Sequence, residues 1–248
     1  MESDDAIILK AAPYSETTLL LSLLTREHGV VRALAKGARR AKQNVQAAFE
    51  PFAWIQASLR VPSSDGLYSL FSPELRAGWP YLRTDMDRLA YASLGLEVLG
   101  ALATHSPPEP FFFEQGVTFL ENLSVCAGAG SLTIALLLRL LHQAGFAPRL
   151  ADAWTPQTLP PTLSYHFDQG ILAPAHAADS SRAMRLPRPA VAAILPALLA
   201  PPSLDGSLSV PTPAGRPILR WLIRVWQDHL NQPLHAAEFL EKMILREP

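Results

Sequence analysis

The stretch Arg32-Ala-Leu-Ala-Lys36-Gly-Ala-Arg39-Arg40-Ala-Lys42 closes an otherwise apolar N-terminal run. From His28 to Phe49 the chain carries five Lys or Arg and no acid, while the formal net charge of all 248 residues is -1. Positive charge is therefore concentrated here rather than scattered. Val30, Arg32, Leu34 and Lys36 fall on one parity and Val31, Ala33 and Ala35 on the other, which predicts a strand with long cationic stems on one side. Gly37 supplies the turn that ends it. The reading places a row of cations along the edge of a sheet. A phosphate backbone is the extended polyanion that such a row suits, and contacts of that kind weaken steeply with salt. A solvated basic loop that touches nothing is the competing reading.

Working outward, residues 6 to 80 read as a small β domain. Ala6 to Lys10 is a strand, Pro13-Tyr14-Ser15-Glu16 a turn, Thr17 to Thr25 a buried strand, and Glu27-His28-Gly29 the hairpin into the basic strand. Ala53 to Val61 alternates Trp54, Gln56, Ser58 against Ile55, Ala57, Leu59, and Gly66 to Phe71 adds one more short strand after the turn Pro62-Ser63-Ser64-Asp65. Five short strands around a basic connection fit a small closed barrel, and the OB-fold is the barrel most used for single strands.

After Pro80 the period changes. Asp85 to His105 is apolar almost all round, with Thr84 as the expected N-cap, and Phe111 to Val125 follows the Pro107-Pro108 and Pro110 breaks. Ser131 is expected to cap a third helix, Leu132 to Ala144, that Gly145 closes. From Phe146 to Arg185 the chain is Pro-rich and poorly periodic, with one visible hairpin, Leu163 to Phe167 and Ile171 to Ala173 around Asp168-Gln-Gly170. Pro187 to Ala200 resumes as helix with a kink or break at Pro196. Arg216 to Asn231 and His235 to Arg246 form a last helical pair.

Composition narrows the function classes. With 49% apolar and 17% charged residues the chain reads as a soluble globular protein. Cys126 is the single cysteine, which excludes a disulfide framework and a Cys-based zinc site and suits a reducing cytoplasm. It ends an apolar helix, so a buried, inert thiol is expected. The N-terminus Met-Glu-Ser-Asp-Asp is acidic where a secretory signal is basic, and the apolar runs Ser131 to Leu141 and Ala190 to Ala200 are interrupted by Arg139 and Pro196, so no membrane segment is expected. Gly128-Ala-Gly130-Ser131 lacks the Lys of a phosphate loop, and no HExxH, GxSxG or paired-carboxylate signature occurs. No catalytic turnover and no cofactor are expected.

Several short segments carry a family likeness: Ala-Ile-Ile-Leu-Lys (6 to 10), Tyr14-Ser15-Glu16, Leu-Thr-Arg-Glu-His-Gly (24 to 29), Ala-Lys-Gly-Ala-Arg-Arg (35 to 40), Phe-Glu-Pro-Phe (49 to 52), Leu-Leu-Arg-Leu-Leu-His-Gln-Ala-Gly-Phe-Ala-Pro-Arg-Leu (137 to 150) and Asp-His-Leu-Asn-Gln-Pro-Leu (228 to 234). In order and spacing they resemble the bacterial DNA repair protein RecO family of recombination mediators. The resemblance implies an OB-fold followed by an α-helical domain, binding to single- and double-stranded DNA, annealing of complementary strands, and cooperation with RecR to place RecA on DNA coated by single-stranded-DNA-binding protein. It also brings a departure. Many members carry two CxxC pairs after the segment matching 145 to 150, suggestive of structural zinc. Here Asp152 to Pro156 and Gly170 to His176 contain no thiol, and Asp152, His166 and His176 lack ligand spacing, so no metal is expected. The hairpin is then expected to hold itself through Trp154, Tyr165 and Phe167 and to be mobile.

The expected architecture is multidomain α and β: an N-terminal OB-fold β-barrel over residues 1–80, then an α-helical domain over 81–248 that contains a small irregular hairpin subdomain at about 146–186 without the zinc site. Lys36, Arg39 and Arg40, with Arg32 and Lys42 behind them, are the candidate phosphate contacts. Trp54, Tyr68 and Phe71 are candidates for stacking on bases, against a competing role in the core. Arg216, Arg220 and Arg224 recur every four residues and form a candidate second surface, for DNA or for the acidic, Phe-ended tail of single-stranded-DNA-binding protein. The alternative is a non-catalytic scaffold whose barrel binds protein.

Overall fold

The computed structural model describes residues 2–40, 43–60, 66–176 and 181–243. They form two compact units, one of Met1–Asp85 with Leu99–Ser124 and the other of Met86–Val98 with Val125–Pro248. The division differs from the expected boundary near residue 81, because Leu99–Ser124 clusters with the β domain.

The first unit holds a closed barrel. Its strands are β1 (Glu2–Pro13), β2 (Leu19–Thr25), β3 (Val30–Ala35), β4 (Trp54–Arg60) and β5 (Tyr68–Ala77), in the order β1-β2-β3-β5-β4 with β4 returning to β1. Every seam is antiparallel except β3–β5, which is parallel and only two residue pairs long, Ala33 with Tyr68 and Leu34 with Ser69. Closure corrects the expectation of a sheet edge: β3 lies between β2 and β5, and its one cation, Arg32, projects from a wall. Ala6, Ile8, Leu21, Leu23, Val31, Ala33, Ile55, Ala57, Leu59 and Leu70 fill the interior. Small and large side chains share this interior, as the taper of a small barrel requires. Between β3 and β4 the chain makes a 3₁₀ turn, Ala38–Arg40, then α1 (Gln43–Gln46) running into a second 3₁₀ turn, Ala47–Phe49. Val45, Ala48 and Phe49 pack against the barrel core.

The strands reach further than their alternation suggests. Ile7 and Leu24 are fully buried although they lie outside the barrel core, because the outer wall is itself covered within this unit. Leu9 packs so close to Gly100 that a Cβ there would meet its Cδ1 at 2.7 Å, and Trp54 lies edge-on to Phe113 with centroids 6.1 Å apart. β5 runs to Ala77 rather than Phe71 by means of a bulge. Ser72 takes φ 46°, Pro73 has no N–H to offer, and the register steps from Phe71 opposite Ser58 to Glu74 opposite Gln56.

Helix α2 (Met86–Thr104) follows a 3₁₀ turn at Pro80–Arg83, whose end Thr84 closes by donating from Oγ1 to the Tyr81 carbonyl, rather than capping α2. Helix α3 is Pro110–Val125. In the second unit come α4 (Ala129–Gln143), α5 (Arg188–Leu199), α6 (Thr212–Leu230) and α7 (His235–Met243), with α4 and α5 packed on α6. Ser131 sits inside α4, where its hydroxyl pairs with both the carbonyl and the N–H of Val210 instead of capping. Gly145, at φ 75°, does close α4: its N–H reaches the His142 carbonyl and the Phe146 N–H reaches Leu141, the double bond of a Schellman ending. Helix α5 continues through Pro196 without a break.

The segment expected to be irregular is a four-stranded sheet in the order β6-β8-β7-β9, from β6 (Arg149–Leu150), β7 (Thr162–His166), β8 (Ile171–Pro174) and β9 (Ala183–Pro187). Tyr165 anchors it, fully buried, edge-on to Phe167 at 5.1 Å and to Trp221 of α6 at 5.3 Å. Trp154 stands apart from that pair, half-buried in a cleft with His142 and Leu198. Arg182 clips the sheet to α6 by pairing with Asp168 at 3.1 Å and Asp228 at 2.7 Å. Among the described residues no group of His, Cys, Asp or Glu is arranged to hold a metal. No helix among them is long and apolar enough to cross a membrane. Cys126 is half-exposed rather than buried, since it lies just past α3 with its sulfur against Gly206.

Candidate nucleic-acid interface

The pleat of β3 sorts its residues as the sequence requires. Val31, Ala33 and Ala35 point into the barrel and Arg32 is exposed on the wall, with Lys36 exposed just beyond the strand. Neither Arg32 nor Lys36 has a carboxylate partner among the described residues. Gly37, at φ 76° with open space where a Cβ would be, turns the chain into the Ala38–Arg40 turn. Ala38 is buried there, which leaves Arg39 and Arg40 exposed.

The two arginines are held differently. The Arg39 amide donates to the Thr17 carbonyl at 3.2 Å and its Nη1 donates to the Ser15 carbonyl at 2.8 Å, so the basic turn is tied to the turn between β1 and β2. Among the described residues the Arg40 guanidinium approaches only Glu16, at 4.0 Å, with the two side chains 72% and 94% exposed, a contact too loose and wet to neutralise either charge. Lys42 lies outside the described residues.

Beside Lys36 the two-pair seam between β3 and β5 opens into a cleft of about 210 Å³ lined by Leu34, Lys36, Phe49, Leu70, Phe71 and Pro73. Phe71 is half-buried in it, and the Arg60 guanidinium lies 5.0 Å from its ring centroid. Arg60 is exposed and adds a cation that sequence reading missed. An Arg at the end of a strand whose partner carries an aromatic is the signal that could have found it.

The other two aromatic candidates, also half-buried, make packing contacts. Trp54 donates from Nε1 to Asp5 Oδ1 at 3.1 Å and rests against Phe113. Tyr68 packs against the barrel core, edge-on to His28 at 6.1 Å. The cationic series on α6 is also uneven. Arg224 is exposed, at a cleft of about 230 Å³ with Phe167, Arg182, Met184 and Asp228, whereas Arg216 and Arg220 are half-buried.

The arrangement offers fixed positive charge and an apolar, ring-lined cleft, which suits binding of an anionic chain. The family profile described as Recombination protein O N terminal matches residues 1–78, and that described as Recombination protein O C terminal matches residues 83–238. The chain is similar to the DNA repair protein RecO of Anaeromyxobacter sp. (strain K), 31% identical over 242 residues that cover 96% of this chain and 94% of that protein. It is similar, too, to the DNA repair protein RecO of Bacillus subtilis (strain 168), 27% identical over 146 residues, 59% of this chain and 56% of that one. Matched by family profiles over nearly its whole length and by relatives of the same extent, this chain belongs to the RecO family of DNA repair and recombination proteins.

Proposed function

We propose that the barrel, residues 1–80, binds single- and double-stranded DNA through its sugar-phosphate backbone, and that the chain anneals complementary strands without catalytic turnover. The observation that carries this reading is the exposed series Arg32, Lys36, Arg39 and Arg40 on one wall and its adjoining turn, with no close, buried carboxylate among the described residues to neutralise it. Phosphate contacts of this kind give affinity without sequence preference. Neutralising the charge on two strands lets base pairing supply the free energy of annealing, so no nucleophile or metal is required. The half-buried Phe71 ring, beside Lys36 and under Arg60, is the base-stacking candidate that lines a cleft.

The family reading extends to partners. The chain acts in the cytoplasm on nucleoid DNA, with RecR, to help load RecA onto strands covered by single-stranded-DNA-binding protein. The helical domain, residues 81–248, supplies the partner surface. Its cleft beside Arg224, lined also by Phe167 and Met184 and by the Arg182–Asp228 pair, is the candidate seat for an acidic tail that ends in an aromatic residue. Titrating labelled oligonucleotides at two salt concentrations tests the central reading. Affinity that falls sharply with salt, together with accelerated annealing of complementary strands, is the expected result. Absence of DNA binding at low salt, with retention of a protein partner on co-purification, overturns it in favour of a protein-binding scaffold.

A further inference from the structure

Tyr14 is 58% exposed, the most exposed aromatic ring among the large apolar side chains of the described residues that stand in solvent. One wet ring on a surface is ordinary, and what distinguishes this one is its mounting. The ring stands on the turn between β1 and β2, where Pro13 restricts the backbone ahead of it. The amides of Tyr14 and Ser15 both donate to the Thr18 carbonyl, at 3.0 and 3.3 Å, and the Thr18 amide donates back to Ser15 Oγ at 3.3 Å. The turn is therefore built, and the ring is presented from a fixed base.

The same turn is fastened to the cations. Arg39 reaches Ser15, the neighbour of Tyr14, and the Arg39 amide holds Thr17. After its bond to Ser15, the Arg39 guanidinium retains N–H donors for an anion. Arg40 is the second cation of this corner, and Glu16 its one nearby carboxylate among the described residues, loosely placed and almost fully exposed. An exposed aromatic face and two guanidinium groups thus sit on two turns locked to each other. In closed barrels of this topology the loop between the first two strands is one that meets oligonucleotides.

We propose that Tyr14 is a stacking platform for an unpaired base, so that the β1–β2 turn and the Ala38–Arg40 turn together form a subsite for single-stranded DNA. The proposal rests on the reading of the barrel as DNA-binding and assigns that surface a substrate class. A base stacks on the ring while its flanking phosphate meets Arg39 or Arg40. Within a duplex both faces of a base are covered by its neighbours, so the ring contributes to single strands and not to double strands. Stacking of this kind is indifferent to base identity, because every base offers a π-face.

The test compares the full chain with Tyr14→Ala, Tyr14→Trp and the double variant Arg39→Ala/Arg40→Ala. Each is titrated by fluorescence anisotropy against an oligothymidine and a duplex of equal length, at two salt concentrations. Tyr14→Ala is expected to weaken oligothymidine binding by about 5- to 150-fold, the loss of one stacked base. Its duplex affinity is expected to stay within about twofold of the parent, as for an exposed substitution, and its salt slope is expected not to change. Tyr14→Trp is expected to bind oligothymidine at least as tightly as the parent. If Tyr14→Ala leaves oligothymidine binding intact, or weakens both ligands equally, the stacking site is overturned. When the arginine variant nonetheless weakens both ligands, the barrel reading survives that loss. If neither variant alters binding to either ligand, both readings fall.

Discussion

Replacing Arg39 and Arg40 together with Ala removes two of the four exposed cations described on the β3 wall and its turn, and the consequence can be worked from counterion release. At ~0.7 ions released per single-strand phosphate contact, four contacts give a slope of about −2.8 in log affinity against log salt, and two give about −1.4. Raising salt from about 50 to about 200 mM then costs the parent chain roughly 50-fold in affinity and the variant roughly 7-fold. The fold loses little in exchange. Among the described residues the Arg40 side chain has only its loose approach to Glu16, and Arg39 gives up one exposed side-chain hydrogen bond to Ser15, worth below about 1 kcal/mol, while its backbone bond to Thr17 remains. Anisotropy titrations of a labelled single strand over a salt series, with a thermal melt of each protein, read both quantities. An unchanged slope would refute the assignment of these cations to phosphate. A large fall in melting temperature would show instead that the two side chains serve the fold.

Three further outcomes follow from the packing. Asp4 is buried in β1 and its Oδ2 accepts from the Glu27 amide at 3.2 Å and from His28 Nδ1 at 2.8 Å, so Asp4→Ala strands these donors and is expected to destabilise the barrel by about 1–3 kcal/mol, read from a urea midpoint. Glu97 accepts from the amides of His235 and Ala236 at 2.9 and 2.7 Å, capping α7 from a distant part of the chain; Glu97→Ala is expected to cost about 0.5–2 kcal/mol and to lower helical ellipticity. His229 stacks on Phe146 at 4.2 Å, and burial holds its pKa below the usual imidazole value, with Asp228 pulling weakly the other way. The folded chain therefore binds fewer protons on this ring than the unfolded chain does. Its contribution to stability is complete above about pH 6.5 and is lost as pH falls through the depressed folded value. His229→Phe keeps the stack and is expected to flatten the fall in melting temperature between about pH 7 and about pH 5, and a parallel fall in both proteins would contradict the assignment.

The barrel was legible where one face is buried and the other wet, as in β3 and β4, because the pleat writes alternation into the residues. β1 and β2 were legible only in part, since Ile7 and Leu24 are buried outside the barrel core and their neighbourhood lacks alternation. The extension of β5 was hidden by Pro73, which a bulge accommodates. The four-stranded sheet was missed beyond its hairpin because β6 is two residues long and β9 ends in Pro187, so neither offers a period to detect. Charge placed the cations, yet it was silent on Arg60, whose role depends on a ring in the next strand, and on Tyr14, which reads as a turn residue until its exposure and tether are seen.

The parallel join of β3 to β5 also has a dynamic consequence. A hoop of five staves fastened by many rungs at four joins and by two pairs at the fifth opens first at the fifth. Breathing at Ala33–Leu34 against Tyr68–Ser69 would widen the crevice beside Lys36 and Phe71 without disturbing the remaining staves. Amide protons at that join are expected to trade with deuterium sooner than those between β1 and β2, so the barrel's weakest fastening lies beside the crevice proposed to receive DNA.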